Sequence, residues 1–421
     1  MKFMSKTEQE YKVAREIYAE LGVDTDQVLK TLASIPISIH CWQGDDVIGF
    51  DGATSLSGGI LATGNYPGRA RNAEELRADA TFAFTQIPGK KRFNLHAMYA
   101  ETEGVKVERS SLEPRHFNNW IAWAKEQKIG LDFNPSFFSH PLAASGWTIA
   151  HPDSHIRSFW IEHGKASRRI AQAIADALKD FVVNDLWVPD GSKDMPADRL
   201  GPRLRLKESL DAIYAEKMPN DRVLDCVESK LFGIGSESYV AGSHEFYLGY
   251  AMQKAIGICY DMGHFHPTES IADKISATLL YVPYLVIHAS RGLHWDSDHI
   301  IIWNDALTDI CREIVRMRVW DRVYLALDYF DASVNRISAW IIGSRSVQRA
   351  LLYAFLEPVE AMRAEEERGD FGARLAFIEE ARALPFAQVW RYYCETQDVP
   401  YGPAWIEEVK DYEKKVLSKR A

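Results

Sequence analysis

Seven acidic or imidazole side chains fall near the ends of apolar runs in the second half of this 421-residue chain: Glu228, Asp261, His264, His288, Asp296, Asp298 and Asp328. Carboxylates and imidazoles gathered at low dielectric repel one another or go unsatisfied unless a cation holds them, so the set points to metal. Glu228, Asp261, His288 and Asp328 belong to four successive runs and could each give one ligand to an enclosed ion. His264, three residues beyond Asp261, joins the carboxylates of Trp295-Asp296-Ser297-Asp298-His299 in a second group that would stay open to substrate and water. Mixed carboxylate and imidazole ligation without thiolate suits Mn²⁺, Mg²⁺ or Co²⁺, and admits Zn²⁺.

No single signal among these is specific. A lone His or Asp after a strand is more often a satisfied turn or helix cap, and Asp-x-Asp also describes an exposed edge. His264-Phe265-His266 has the His-x-His form of metal-dependent hydrolases, yet Pro267-Thr268-Glu269 follows and reads as a helix start, which leaves His266 without a role. Ser57-Gly58-Gly59 through Gly68 lacks the Gly-Lys-Ser/Thr of a phosphate loop and reads as a mobile loop. The dinucleotide fingerprint, the Gly-x-Ser-x-Gly elbow and any histidine-activated cysteine motif are all missing, so covalent hydrolase chemistry has little support.

These residues need elements to bring them together. Eight short β-rich runs can be read along the chain: Ile37–Trp42, Arg92–Ala97, Gly130–Pro135, Val182–Asp190, Val223–Lys230, Ala255–His264, Tyr284–Arg291 and Arg322–Asp331. The connections between them are long enough to hold helices, as in Leu307, Ile310, Ile314 and Val315, which share one helical face. Parallel strands with right-handed crossovers close naturally into an α/β (β/α)8 TIM barrel, with a doubly wound open sheet as the runner-up. In a barrel the C-terminal strand ends converge on one mouth, where barrel enzymes place their chemistry. Tyr11, Ala14, Ile17, Tyr18 and Leu21 form a stripe on an N-terminal helix expected to close the opposite end. The barrel with that helix is assigned to residues 1–345. Residues 346–421 form a C-terminal helical arm, whose stripe Trp405, Val409, Tyr412 and Val416 faces the barrel or a neighbouring subunit.

Composition narrows the class further. Lys plus Arg number 49 against 59 Asp plus Glu, a net charge of −10, which argues against nucleic acid and anionic membranes as partners. The five cysteines are widely spaced, so neither a disulfide framework nor a Cys-x-x-Cys site is written here. No secretory signal or membrane span is legible, and a cytoplasmic enzyme is expected.

With these residues assembled, the chain resembles the L-rhamnose isomerases along nearly its whole length. The segments that carry the resemblance are His40-Cys41-Trp42-Gln43-Gly44-Asp45-Asp46, Ala62-Thr63-Gly64-Asn65-Tyr66-Pro67-Gly68, Leu131-Asp132-Phe133-Asn134-Pro135-Ser136, Val227-Glu228-Ser229-Lys230-Leu231-Phe232-Gly233-Ile234-Gly235, Gly263-His264-Phe265-His266-Pro267-Thr268-Glu269, Trp295-Asp296-Ser297-Asp298-His299 and Leu327-Asp328-Tyr329-Phe330-Asp331-Ala332-Ser333. The resemblance implies a tetrameric barrel that uses two divalent ions, typically manganese, to interconvert L-rhamnose and L-rhamnulose in rhamnose breakdown. By matching position it implies Glu228, Asp261, His288 and Asp328 around a structural ion, and His264, Asp296 and Asp298 around a catalytic one, with Asp261 shared. It also implies Lys230 near the sugar O1, and His96 and Trp187 lining the sugar pocket. The more distant xylose isomerases pair the corresponding histidine with an aspartate three residues on, where this chain has Tyr99.

The implied chemistry is physically coherent. Moving a carbonyl from C1 to C2 needs O1 and O2 polarised together, which a metal pair can do. A water or hydroxide held by Asp298 would shuttle the proton between O1 and O2 while hydride passes from C2 to C1. The competing route is an enediol formed by a carboxylate base, for which Asp328 is the candidate. Two other classes stay open on the residues alone: a barrel metallohydrolase acting on a small polar substrate, and a non-catalytic sugar-binding protein with Trp42, Trp187 and Trp295 as stacking platforms.

Overall fold

The computed structural model describes residues 5–44, 47–52, 64–218, 221–230, 238–293 and 295–420, without the side chains of 295–297. Ser57–Gly59 of the glycine-rich stretch, and Asp45, Asp46, Ala62, Thr63 and 231–235 of the family segments, lie outside these residues.

Eight strands form the barrel: β1 (Ile37–His40), β2 (Lys91–His96), β3 (Gly130–Asn134), β4 (Val182–Leu186), β5 (Val223–Glu228), β6 (Gly257–Asp261), β7 (Leu285–Ala289) and β8 (Val323–Leu327). Each is parallel to its neighbours, and β1 pairs with both β2 and β8, so the sheet closes. The open-sheet alternative is thereby excluded. Each strand feeds a helix, namely Ala73–Phe84, Asn118–Gln127, Ser154–Leu178, Leu200–Ile213, His244–Lys254, Ile271–Thr278, Asp305–Arg316 and Arg336–Leu356. The strands stop earlier than the β-rich runs do. Val182–Asp190 pairs only through Leu186, and Arg322–Asp331 only through Leu327. The polar residues that follow belong to loops at the barrel mouth.

Local rules explain the helices. Asp305–Arg316 is capped by Asn304, which accepts the Leu307 N–H, and buries Leu307, Ile310, Ile314 and Val315 as their spacing predicts. The N-terminal helix Lys6–Glu20 begins with a Ser5/Glu8 capping box and buries Tyr11, Ala14 and Tyr18, whereas Ile17 is exposed. This helix does not plug the barrel floor. Tyr11 instead stacks on Tyr392 of the helix Phe386–Thr396 with ring centroids 3.9 Å apart. The floor is lined by Ser34, Ile35 and Pro36, at the end of the second helix, Thr25–Ser34.

The division at 345 and 346 falls inside the continuous helix Arg336–Leu356, and Val389, Trp390, Val409 and Leu417 share one core with the barrel helices. The C-terminal helix Ala404–Lys415 lies against its own chain. Tyr412 stacks on Phe82 at 4.2 Å, and beyond the helix Arg420 pairs with buried Asp79 at 2.6 Å. The loops after β1 and β8 also dock. A Cβ on Gly64 (φ +109) would come within 2.5 Å of the Ala332 carbonyl, so that crossing requires glycine.

Candidate metal centre

Alternation decides which side chains enter the barrel. Val183, Cys226, Cys259 and Val286 form a small interior cluster, separate from the main core that receives Val182, Val227, Ile258 and Ile287. Successive strand residues face opposite sides. Two positions further along the inward phase stand Asp185, Glu228, Asp261 and His288, all buried. Asp328 follows four residues after Tyr324, which packs on the same interior cluster.

Donor atoms of Glu228, Asp261, His288 and Asp328 lie within 4.8 Å of one another. His288 Nδ1 is 3.3 Å from Glu228 Oε1, 3.2 Å from Asp328 Oδ2 and 3.9 Å from Asp261 Oδ2. The register of β6 on β7 pairs Asp261 directly with His288. His264 Nδ1 lies 3.3 Å from that same Glu228 oxygen, so the open group begins against the enclosed one. Asp298 lines the cavity above them. It stands on a hairpin strand, Trp295–His299, paired with Arg291–Leu293, and holds a left-handed φ of +44 that non-glycine residues seldom adopt. Asp296 is on the same strand, with its side chain outside the described residues.

The charges of this cluster call for a cation. Burial pushes the Asp328 carboxyl up, and it pushes Asp185 well up, with repulsion from Glu228 adding to the effect. Glu228 is held down despite its burial by the charge of His288 and by hydrogen bonds with His264 and His288. His288 is in turn raised, against its own burial, by Glu228 and Asp328. Asp328 Oδ1 and Asp185 Oδ1 are buried with no hydrogen-bond partner among the described residues. Orphaned carboxylate oxygens beside an imidazole are the donors a divalent ion uses, so the residues present fit one.

Asp185 is the residue that sequence reasoning missed. Its Oδ2 is 3.7 Å from His288 Nε2, and it forms a second donor group with Glu228, Cys259 and His288. The step of two from Val183 carries the signal, but within Val182–Asp190 only Trp187 is singled out. Beneath Asp185 a cavity of about 350 Å³ reaches down the barrel past Asn94, Arg92 and Asp132. Asp132 serves structure, accepting from Arg92 Nε at 2.9 Å and Ser38 Oγ at 2.6 Å.

Above the cluster, Trp42, His96, Phe138, Trp187 and Phe330 wall the upper cavity, with Trp42 stacked on Phe330 at 5.6 Å. Lys230 is buried, donates from Nζ to the Pro189 carbonyl at 3.0 Å and sits 5.8 Å from the Trp187 ring. It is not among the described residues that line this cavity. His266 is exposed, and its Nδ1 lies 2.7 Å from Thr268 Oγ1 within a turn closed by the Glu269 N–H on the His266 carbonyl. All five cysteines are free and buried.

A closed parallel barrel with a buried carboxylate and imidazole cluster at the C-terminal strand ends defines a barrel enzyme of the metal-dependent class. The family model for L-rhamnose isomerase (RhaA) matches residues 5–420. The chain is 54% identical over 415 residues to an L-rhamnose isomerase of Rhodopirellula baltica, covering 98% of this chain and 97% of that one. It is 53% identical over 418 residues to an L-rhamnose isomerase of Citrobacter koseri, covering 99% and 100%. Among solved structures, L-ribulose 3-epimerase aligns with a TM-score of 0.46 and 11% identity, over 76% of this chain and 95% of that one. The chain belongs to the L-rhamnose isomerase family.

Proposed function

We propose that this chain interconverts L-rhamnose and L-rhamnulose, an aldose and its ketose, at two divalent ions in the barrel mouth. The observation that carries the reading is the cluster of Glu228, Asp261, His288 and Asp328 beneath an aromatic-walled cavity, in a chain of this family. Those four residues would hold the inner ion, and His264, Asp296 and Asp298 the outer one, with Asp261 reaching both. Manganese is the proposed metal, in keeping with a set of oxygen and nitrogen donors. When bound, the pair supplies Lewis acidity toward adjacent sugar oxygens.

The chain's own residues do the rest. Trp42 and Trp187 hold the sugar between apolar walls and keep water out. Lys230 directs its charge toward O1 from beside Trp187, which forms part of the cavity wall. A water or hydroxide held by Asp298 would carry the proton from the O2 hydroxyl to O1, while hydride passes from C2 to C1. The carbonyl thus moves from C1 to C2 with no net gain or loss of atoms. Asp328 acts as a ligand in this route, and His96 orients the sugar.

The test is L-rhamnose deuterated at C2. The direct shift predicts a ketose that keeps the label at C1 in ordinary water, and complete exchange with solvent would overturn it. Asp298→Asn is expected to lose at least about a hundredfold in turnover while the protein keeps its fold.

A homotetramer is proposed as the working form, supported by the arm helix Phe371–Glu380. It buries no residue in its own chain and exposes Phe371 and Leu375 by 58% and 57%. In the same reading the sugar is the only ligand partner, without nucleic acid or membrane. Among the described residues no helix is long and apolar enough to cross a membrane. A cytoplasmic setting is proposed on the five free cysteines. The barrel and arm are assigned as catalytic and assembly units within one continuous core.

A further inference from the structure

His96 sits between Trp42 and Phe138, each with ring centroids 5.4 Å from its own, and lines the cavity with Glu228, His264 and Asp298. Its Nδ1 lies 3.0 Å from Ser136 Oγ. Ser136 is fully buried, and its hydroxyl oxygen also accepts the Met98 N–H at 3.2 Å. A hydroxyl offers one proton and two lone pairs. Met98 occupies one lone pair. If His96 Nδ1 carried a proton it would occupy the other, and the Ser136 hydroxyl proton would be buried with no acceptor among the described residues, a destabilising arrangement. With Oγ–H donated into Nδ1, the hydroxyl proton, both Oγ lone-pair demands and Nδ1 are reconciled. Burial lowers His96 to about 3, so the ring is neutral near pH 7 and carries one proton. That proton then belongs on Nε2.

Ser136 is itself held in place from behind. Its N–H donates to His163 Nε2 at 2.8 Å, while His163 Nδ1 stands 3.0 Å from the Arg109 carbonyl. A carbonyl only accepts, so Nδ1 bears the proton and Nε2 is free to accept. The buried Arg109 guanidinium donates to the carbonyls of Ser136 at 2.8 Å and Ser139 at 3.0 Å, and to that of Phe138, and pairs with Asp51 at 2.9 Å. The loop after β3 is therefore fixed at the point where it meets His96.

We infer that Ser136 is a positioning residue that sets the tautomer of His96, so that His96 meets the sugar as an Nε2–H donor to one of its oxygens and takes no proton from it. The inference rests on the sugar-isomerase reading of the cavity for its ligand and on the Ser136, Met98 and His163 contacts for its geometry. It separates His96 from the proton-transfer chemistry, which stays with Asp298.

A neutron structure of the manganese-loaded protein tests the tautomer without any assay. Deuterium on His96 Nε2, with the Ser136 hydroxyl deuterium directed at Nδ1, is the expected result, and deuterium on Nδ1 would overturn the inference. Kinetics supply the second arm. His96→Gln keeps an N–H donor but no basic nitrogen, and is expected to retain kcat/KM on L-rhamnose within about tenfold of the parent, whereas His96→Leu loses a further tenfold or more. Glutamine as inactive as leucine would count against a donor role. Ser136→Ala should lower kcat/KM by about tenfold at unchanged ion content, and an unchanged kcat/KM would contradict the positioning role. A parent protein that makes no ketose at all would instead overturn the proposed function, and the neutron result would stand apart from it.

Discussion

Glu228 stands between two histidines, with His264 Nδ1 and His288 Nδ1 both 3.3 Å from its Oε1. Removing its charge should loosen the enclosed and open groups together. Glu228→Gln is expected to bind fewer ions by elemental analysis and to melt several degrees lower, since one buried charged partner is worth about 3 kcal/mol or more; full ion content would refute the ligand assignment. His264→Ala removes a donor at the open edge, so turnover should vanish while Tm stays within a few degrees, and global unfolding at room temperature would contradict this. Asp185 gives a pH test. Its folded carboxyl is held well above the unfolded value by burial first and Glu228 second. The folded state thus keeps a proton that the unfolded chain releases, and its stability falls as pH rises above about 4. Asparagine has no such proton to lose. In chelator-treated protein the melting advantage of Asp185→Asn over the parent should therefore widen from about pH 5 to pH 8, and a gap that narrows would sink the argument.

The C-terminal helix shows what spacing can and cannot disclose. The positions of Trp405, Val409, Tyr412 and Val416 announce an apolar stripe, and Val409 is buried as expected, but periodicity does not name the surface that receives it. That surface is the helix after β1, through Phe82 and Asp79. Arg420 and Asp79 have side chains only 4% and 0% exposed, so Arg420→Ala should cost about 3 kcal/mol in denaturant unfolding by leaving a buried carboxylate without its cation. A loss below about 1 kcal/mol would mean the pair behaves like a surface one. Truncation before Trp405 consequently threatens the fold as well as assembly. The strands were legible for the opposite reason: inward alternation through Cys226 to Glu228 and Cys259 to Asp261 is written in residue types. Their ends were not, because Trp187 and Lys230 continue the pattern after ladder pairing has stopped. Asp185 escaped notice since, directly after Asn184, it looks like a polar interruption of the strand. The His163 and Arg109 support of Ser136 joins a helix, a 3-10 turn and a loop across the fold, and no local spacing reports it.

Taken together, one core supports two faces: a metal-binding mouth and an arm whose helix Phe371–Glu380 has nothing buried. If that arm joins subunits, Phe371→Lys with Leu375→Lys should shift the protein to a smaller species on sizing while the barrel melts nearly unchanged, and an unaltered elution would remove the arm from the interface. Metal binding should be coupled to protons, because Glu228 and Asp328 raise His288, which must lose its proton to a ligating ion. Calorimetry in buffers of different ionisation enthalpy should show proton release and tighter binding as pH rises; proton uptake would contradict it. The most direct measurement strips the protein of metal and follows ketose formation from L-rhamnose, L-mannose and D-xylose before and after Mn²⁺ is restored. No ketose without the ion, and fastest turnover of L-rhamnose with it, is the predicted result. Ion uptake at the cluster without ketose from any of the three sugars would contradict the proposed function.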